Sequence, residues 1–369
     1  MELTGKRKTA AIVNLKHIKE NLVTIKQFVG DKKICAIVKA DSYGHGAIVV
    51  SKYIIKSGLV DYLGVATVEE GCELREAGIN VPILLLSVTF KDQFDICVKN
   101  DLTVTVSSRE DIAELNKIAG KYGKAAKLHL IIDTGMGRVG ARQENYKELA
   151  EELLNSSNLN LEGLFSHFSD SSDNEYSGIQ IQKFKAAAEY FENATGKSLI
   201  KHMANSGAIL NLPESYFDMV RPGIILYGYK PYDNYSEKKI LSPGMKFRTE
   251  ISFVKYVKKG TVISYGANTF TEEDCYIATI PVGYADGISR SLSNKMQVKI
   301  NDKLYSQIGK VTMDQTMINL GQDFYGVGTE VFMFDDNSYS ADQYADLMGT
   351  IPYEVTCNVS KRVIRYYEK

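Results

Sequence analysis

The chain has 369 residues, enough for one large domain or two ordinary ones. Hydrophobic residues make up 44% and charged residues 24%, which excludes a disordered chain, a coiled coil and a small disulfide scaffold. Lys and Arg total 44 against 45 Asp and Glu, and a net charge of -1 argues against nucleic acid or an anionic membrane as partner.

The first residues are basic, but the apolar part that follows is too short for a secretory signal. The longest apolar run, residues 81–88, falls far short of the roughly 20 residues a bilayer needs, so a cytoplasmic protein with no membrane segment is expected. Ile18, Leu22, Ile25 and Val29 recur at helical spacing and Gly30 supplies a stop, which predicts a helix. Eight short β-rich runs follow, at residues 34–39, 62–66, 82–87, 102–106, 127–133, 161–167, 200–204 and 224–228. Most are continuously apolar, as strands buried on both faces of a parallel sheet must be. Thr67 with Glu70, and Ser107 with Glu110, read as capping boxes that open helices between the runs. Eight such units fit an N-terminal (β/α)8 barrel of TIM type, with a doubly wound open sheet as the competitor.

Residues 230–243 are polar, contain two prolines and read as a linker. Beyond them lie β-type runs at 246–257, 275–281, 296–300, 316–320 and 330–334, separated by turns such as Asn301-Asp302 and Asp335-Asp336-Asn337. One amphipathic helix is predicted through 341–348. The expected organisation is a barrel over residues 1–236, whose first residues pack with the other domain, and a mostly antiparallel β domain over 237–369. The five cysteines form no CxxC pair, so they read as small apolar side chains rather than as a metal or redox motif.

Barrels present chemistry at the C-terminal ends of their strands. The first predicted strand closes on Lys39, and a lysine ending an apolar strand is partly desolvated, which favours the nucleophilic free amine. Taken alone, a strand-end lysine that snorkels to water explains the position as well, and His45 between two glycines reads as a turn residue. Gly135, Gly137 and Gly140 spell G-x-G-x-x-G after a strand. Arg138 stands where a phosphate-cradling loop wants small residues, so nucleotide binding is not expected. Ser206, which would open a helix, follows the seventh run, and the turn Arg221-Pro222-Gly223-Ile224 leads into the eighth, near the strands at which barrels commonly hold a phosphate.

These segments together resemble the alanine racemases, pyridoxal-phosphate enzymes. The likeness runs through Ala36-Ile-Val-Lys-Ala-Asp-Ser-Tyr-Gly-His-Gly46, Asp133-Thr-Gly-Met-Gly-Arg138, Leu161-Glu-Gly-Leu-Phe-Ser-His-Phe168 and Ala204-Asn-Ser206. It continues through Val220-Arg-Pro-Gly-Ile224, Leu226-Tyr-Gly228, Ile263-Ser-Tyr-Gly266, Ile280-Pro-Val-Gly-Tyr-Ala-Asp-Gly287, Met313-Asp-Gln315 and Ile351-Pro-Tyr-Glu354. The resemblance implies a racemase that interconverts L- and D-alanine through an aldimine of pyridoxal 5'-phosphate, in a homodimer with composite active sites. Lys39 then resembles the aldimine lysine and the base for the D-enantiomer, and Tyr265 the base for the L-enantiomer. Tyr43, Ser206, Gly223, Ile224 and Tyr353 look like the phosphate shell, and Asn205 and Leu86 would line the cofactor. Arg221 would face the pyridine nitrogen with His167 behind it. Arg138, Met313 and Asp314 would position the substrate, and Tyr284, Arg290 and Lys310 would line its access corridor. A phenol acting as a base near neutral pH needs nearby positive charge, and the Arg221–His167 region is the expected source.

Three departures bear on this. Many relatives carry a carbamylated lysine two residues before Asp133 to orient the arginine. Ile131 stands there, so Arg138 needs another anchor: a carboxylate, an anion, water, or none. Serines occupy 169, 171 and 172 near the expected entrance, and Lys310 replaces an arginine. A broad-specificity or serine racemase is therefore the alternative, and a non-catalytic carrier of the cofactor is a more distant one. Tyr353 with Met313 should leave room for a methyl side chain and little more, which favours alanine.

Overall fold

The computed structural model describes Gly5 and residues 7–232, 241–337 and 339–369. The middle of the predicted linker and the predicted domain boundary at 236/237 lie outside the described residues. Two compact units result: Asn21–Ser42 with Ala47–Leu226, and the segments Met1–Glu20, Tyr43–Gly46 and Tyr227–Lys369.

Strand β1 (Ala10–Asn14) belongs to the second unit; the first unit holds the next eight strands. These are β2 (Lys33–Ile37), β3 (Tyr62–Val65), β4 (Ile83–Val88), β5 (Thr103–Val106), β6 (Ala126–Ile131), β7 (Leu159–Phe165), β8 (Ile200–His202) and β9 (Met219–Val220). Each pairs in parallel with the next, and β9 closes on β2 through Lys33 opposite Met219 and Ile34 opposite Val220. The result is a closed barrel, not an open sheet. Between strands, Thr67 caps the helix Val68–Glu76 in the predicted box with Glu70. The next cap differs from expectation: Ser108, not Ser107, accepts from the Asp111 N–H and opens the helix Arg109–Tyr122. The helix Leu15–Val29 buries Ile18, Leu22, Ile25 and Val29, and Gly30 ends it in the left-handed region.

The eighth strand does not lie where the apolar run at 224–228 placed it. It is the two-residue β9, and Ile224–Tyr227 form a 3-10 turn in which the Leu226 N–H returns to the Gly223 carbonyl at 2.9 Å. Pro222 has no N–H to continue a ladder, so the strand stops there. Ile224, Ile225, Leu226 and Tyr227 are all fully buried. The apolar run reported burial, which a tight turn satisfies as well as a strand does.

In the second unit the strands are β10 (Met245–Glu250), β11 (Phe253–Val257), β12 (Cys275–Ile280), β13 (Gln297–Ile300), β14 (Lys303–Ser306), β15 (Thr316–Gly321), β16 (Glu330–Phe334) and β17 (Ile364–Glu368). They form a six-stranded sheet, β14-β13-β16-β10-β1-β17, and a three-stranded sheet, β11-β12-β15. Pairing is antiparallel except between β1 and β17. The run at 246–257, read as one strand, is two. The Ile251 N–H bonds Thr329 O beside the first sheet and the Ser252 N–H bonds Thr279 O in the second, so the chain changes sheets between those residues. Asn301 and Asp302 take φ of 45° and 64° and close the β13–β14 hairpin. The helix Ala341–Met348 falls where predicted. Cys35, Cys97 and Cys275 are buried, Cys72 is half-buried and Cys357 is exposed. Among the described residues, no helix is long and apolar enough to cross a membrane.

Candidate active site

The barrel unit carries the predicted residues at one rim. Lys39 follows β2, Arg138 follows β6, His167 follows β7, Asn205 and Ser206 follow β8, and Arg221, Gly223 and Ile224 follow β9. All are C-terminal to their strands, the end at which barrels place chemistry. Leu86 lies within β4, and its Cδ1 would stand 3.1 Å from a Cβ at Gly64 on β3.

Arg221 is the electrostatic centre of this rim. Its side chain is buried, yet no carboxylate among the described residues pairs with it. Nη1 donates to His202 O at 3.0 Å and to His202 Nδ1 at 2.8 Å. Nη2 donates to Ser166 O at 2.8 Å, to Met203 O at 3.1 Å and to His167 Nδ1 at 3.3 Å. A guanidinium only donates, so His202 must accept at Nδ1 and carry its proton on Nε2. That proton points to His129 Nδ1, 2.8 Å away, which leaves the His129 proton on its own Nε2. One cation thus fixes the tautomers of two buried histidines in series.

The same surroundings keep the imidazoles neutral. Burial, reinforced by the Arg221 charge, holds His129 at about 3 and His202 well below the ordinary histidine range. Burial and then the charges of Arg221, Arg138 and Lys39 hold His167 at about 3. Burial brings Arg221 itself down to about 10, still charged near neutral pH.

The loop after β6 explains its glycines. Asp133 Oδ1 accepts from the N–H groups of Gly135 at 3.1 Å and Gly137 at 3.0 Å, and Oδ2 accepts from Arg142 Nε at 3.2 Å. The donors that would cradle a phosphate are taken by the chain's own carboxylate. Gly140 has φ of 133°, and a Cβ there would lie 2.4 Å from the Asp133 nitrogen. The long helix Asn174–Thr195 braces the loop: Tyr176 OH donates to Gly135 O at 3.0 Å and Gln180 Nε2 to Thr134 Oγ1 at 3.2 Å. Ile131 is buried, and Arg138 is exposed with no carboxylate partner among the described residues. Of the serines near the expected entrance, Ser169 is held by Gln180 Oε1, Ser172 by Asp170, and Ser171 is buried.

At the last two strand ends, the Gly223 N–H donates to Ser206 Oγ at 2.9 Å. The cap of the helix Ser206–Asn211 is Asn205, whose Oδ1 accepts from the Ala208 N–H at 3.0 Å; Ser206, expected to open that helix, is its first residue. The Ser206 hydroxyl is therefore released from capping and joins the 221–224 turn.

In the second unit, the rings of Tyr43 and Tyr353 lie 5.6 Å apart, and those of Tyr43 and Tyr227 5.1 Å. Burial pushes the Tyr353 phenol upward, so it is a neutral hydroxyl near neutral pH. Tyr265 stands on a turn whose flanking Ser264, Gly266 and Ala267 all have positive φ, and it is 73% exposed. Ser264 Oγ donates to Lys310 O at 3.0 Å. A groove of about 430 Å³ beside it is lined by Phe253, Val262, Tyr265, Thr312, Gln315 and Met317. Met313 is 53% exposed. The Tyr284 N–H bonds Thr312 O, and the Ala285 N–H bonds Met313 O. Asp286 is fully buried and accepts from Arg7, from Arg362 and from the Gly283 N–H; Arg362 also donates to Asp314 Oδ1 at 2.8 Å. The exposed Arg290 opens the 3-10 turn Arg290–Leu292, which buries Leu292.

Residue reading missed His129, His202 and Gln180. The available signal was a histidine inside, or closing, an apolar barrel strand.

Residues 13–231 match the family model for the alanine racemase N-terminal domain, and residues 244–367 the model for its C-terminal domain. The chain is similar to alanine racemase 2 of Caldanaerobacter subterraneus, 43% identical over 98% of this chain and 95% of that protein. It is also 41% identical to the alanine racemase of Cutibacterium acnes, over 97% of each. Among solved structures, the alanine racemase of a D-cycloserine-producing Streptomyces lavendulae superposes with a TM-score of 0.94 at 30% identity, covering 98% of this chain and 97% of that one. That of Clostridium difficile 630 gives 0.92 at 39%, covering 98% and 96%.

Proposed function

Because the chain belongs to the alanine racemase family, we propose that it moves the Cα proton of alanine between Lys39 and Tyr265, with pyridoxal 5'-phosphate as cofactor. The enzyme is an isomerase that interconverts L- and D-alanine. The observation that carries the mechanism is Arg221: a buried cation, without a carboxylate, held by carbonyls and neutral histidines.

The barrel residues fit the cofactor. Lys39 offers an amine at a strand end, and the Ser206 hydroxyl with the Gly223–Ile224 turn suits a phosphate. Nε of Arg221 makes no hydrogen bond to any described residue and suits an acceptor such as a pyridine nitrogen. Asn205 and Leu86 would flank the ring, and Tyr43 and the neutral Tyr353 are proposed to add phenol donors. When bound, the cofactor would draw electron density from Cα and make its proton acidic. An arginine at the ring nitrogen does not protonate it, so charge at Cα is delocalised less far than beside a carboxylic acid. That limits side reactions and favours simple return of the proton.

Racemisation removes a proton from one face of Cα and delivers one to the other, so one base does not suffice. Lys39 is assigned the proton of D-alanine and Tyr265 that of L-alanine. Arg138 and the Met313–Asp314 turn would hold the substrate carboxylate, and Tyr284, Arg290 and Lys310 the approach. Tyr265 and Met313 are largely exposed in the single chain, whereas proton transfer needs a site closed to water. Their exposure supports a homodimer in which these residues serve the other copy.

The test is a pair of variants. Lys39→Ala should lose the visible absorbance of the bound cofactor, and Tyr265→Phe should keep the colour while losing nearly all racemisation of alanine. Full activity in Tyr265→Phe, or a wild-type protein that takes up no cofactor, overturns the reading.

A further inference from the structure

We propose that Glu70 is a positioning residue for Lys39 that acts through the Ala40 amide, an inference that rests on the assignment of Lys39 above. After β2 the chain enters a turn unusual for ordinary side chains. Ala40, Asp41, Ser42 and Tyr43 have φ of 51°, 54°, 54° and 52°. A left-handed turn costs each L-residue roughly 1–2 kcal/mol, and four in succession without a glycine persist only where the surroundings over-determine them. The residue just before this turn is Lys39.

The strongest anchor is a carboxylate from the first turn of the next helix, Val68–Glu76. Glu70 Oε1 accepts from the Ala40 N–H at 2.6 Å. Oε2 accepts from the Ala66 N–H at 2.7 Å and the Thr67 N–H at 3.3 Å, and Thr67 Oγ1 accepts in return from the Glu70 N–H. A capping box needs one carboxylate oxygen; here the second reaches the peptide that joins Lys39 to Ala40. Two further bonds close the turn: Asp41 Oδ1 accepts from the Ala47 N–H at 2.7 Å, and the Ser42 N–H reaches Val38 O at 2.9 Å. On the other side of Lys39, the Val38 N–H is fixed to Gly64 O at 2.9 Å. The lysine backbone is thus pinned at both neighbours, to the end of β3 and to the helix that follows it.

The lever is long. A lysine amine stands four methylenes from its Cα, so a small backbone rotation at residue 39 swings it by ångströms. A misplacement of about 1 Å in a reacting group can cost on the order of a hundredfold in rate. Charge-assisted bonds to both oxygens make Glu70 a stiff tether.

A purely structural Glu70 would do no more than cap a helix, and Thr67→Ala isolates that job, because it breaks the capping box without touching Ala40. The experiment compares Glu70→Ala, Glu70→Gln and Thr67→Ala in the full chain. Three readouts are used: melting temperature, amide hydrogen exchange of the peptide covering residues 38–44 with the cofactor removed, and primary isotope effects with α-deuterated D- and L-alanine. By symmetry the two enantiomers are equal in free energy, so kcat/KM falls equally in both directions. A displaced Lys39 makes the D-alanine proton step the slower one, which raises the isotope effect on D-alanine and lowers that on L-alanine.

Glu70→Ala should speed exchange at Ala40 and lower kcat by about tenfold or more with KM little changed. Glu70→Gln, which keeps one acceptor oxygen, should lie between it and wild type. Thr67→Ala should lower the melting temperature alone. If Thr67→Ala matches Glu70→Ala in kcat and isotope effects, or Ala40 exchange is unchanged in Glu70→Ala, the proposal fails. Failure of the Lys39 assignment is separable: Lys39→Ala would then still bind cofactor covalently and racemise alanine, whatever the exchange data show.

Discussion

His202 and Arg221 meet at 2.8 Å, imidazole nitrogen to guanidinium, and both side chains are buried. The pair sets the character of the rim, because the arginine lacks a carboxylate and relies on neutral acceptors. Removing the imidazole should leave the cation under-solvated. His202→Phe is expected to lose about 1–3 kcal/mol of stability, the cost of a buried donor left unmet, and to alter the visible spectrum of the bound cofactor. Thermal melts and absorbance check this; a variant indistinguishable from wild type in both would show that the contact is dispensable.

Acid should unfold the barrel through its histidines. In the unfolded chain they take up protons near the ordinary value of about 6.5. In the fold His129 and His167 do so only at about 3, and burial holds His202 well below its ordinary value. Between these values the unfolded state binds more protons, so stability is complete above about 6.5 and falls as the pH drops. Each histidine adds up to about 1.4 kcal/mol per pH unit to that slope. Denaturant titrations across the window measure it, and a wild-type stability flat down to pH about 4 contradicts it.

Asp286 should be the most sensitive carboxylate of the second unit. Burial works against its charge, but the bonds from Arg7, Arg362 and the Gly283 N–H outweigh burial and hold it below the usual carboxylate range. Asp286→Ala removes the acceptor shared by two partly exposed guanidinium groups and should cost about 1–3 kcal/mol. The milder Arg362→Met frees Asp314 and should raise KM for alanine more than it lowers kcat. Equilibrium unfolding tests the first statement and steady-state kinetics the second.

Tyr353 should set substrate width. Its ring packs on Tyr43 at 5.6 Å, and under the proposed function its bulk would limit the substrate side chain. Tyr353→Ala is expected to raise racemisation of serine relative to alanine by about tenfold, since one methylene is worth about 1–3 kcal/mol in a pocket. Rates with alanine, serine, lysine and arginine decide. A wild-type enzyme that turns over lysine or arginine as fast as alanine would refute the size argument outright.

The residue pattern alone determined most of the architecture. Seven barrel strands, the Thr67–Glu70 cap, the stop at Gly30 and the helix Ala341–Met348 were legible because each rests on contacts within a few residues, where periodicity and turn chemistry act. The strand ends bearing Lys39, Arg138 and His167 followed from the same runs, whereas Arg221 follows a strand that the pattern placed after it. What the pattern misplaced was decided over longer distances. The apolar residues 224–227 became a turn because Pro222 ended the ladder, and residues 246–257 split because Ile251 and Ser252 bond to different sheets. The partners of Arg221 come from the ends of β7 and β8, His129 of β6 joins them through His202, and the Ala40 amide is held by Glu70 of the helix after β3. Such pairings join groups 18 to 73 positions apart, and no local spacing encodes which donor a buried acceptor meets once the barrel closes.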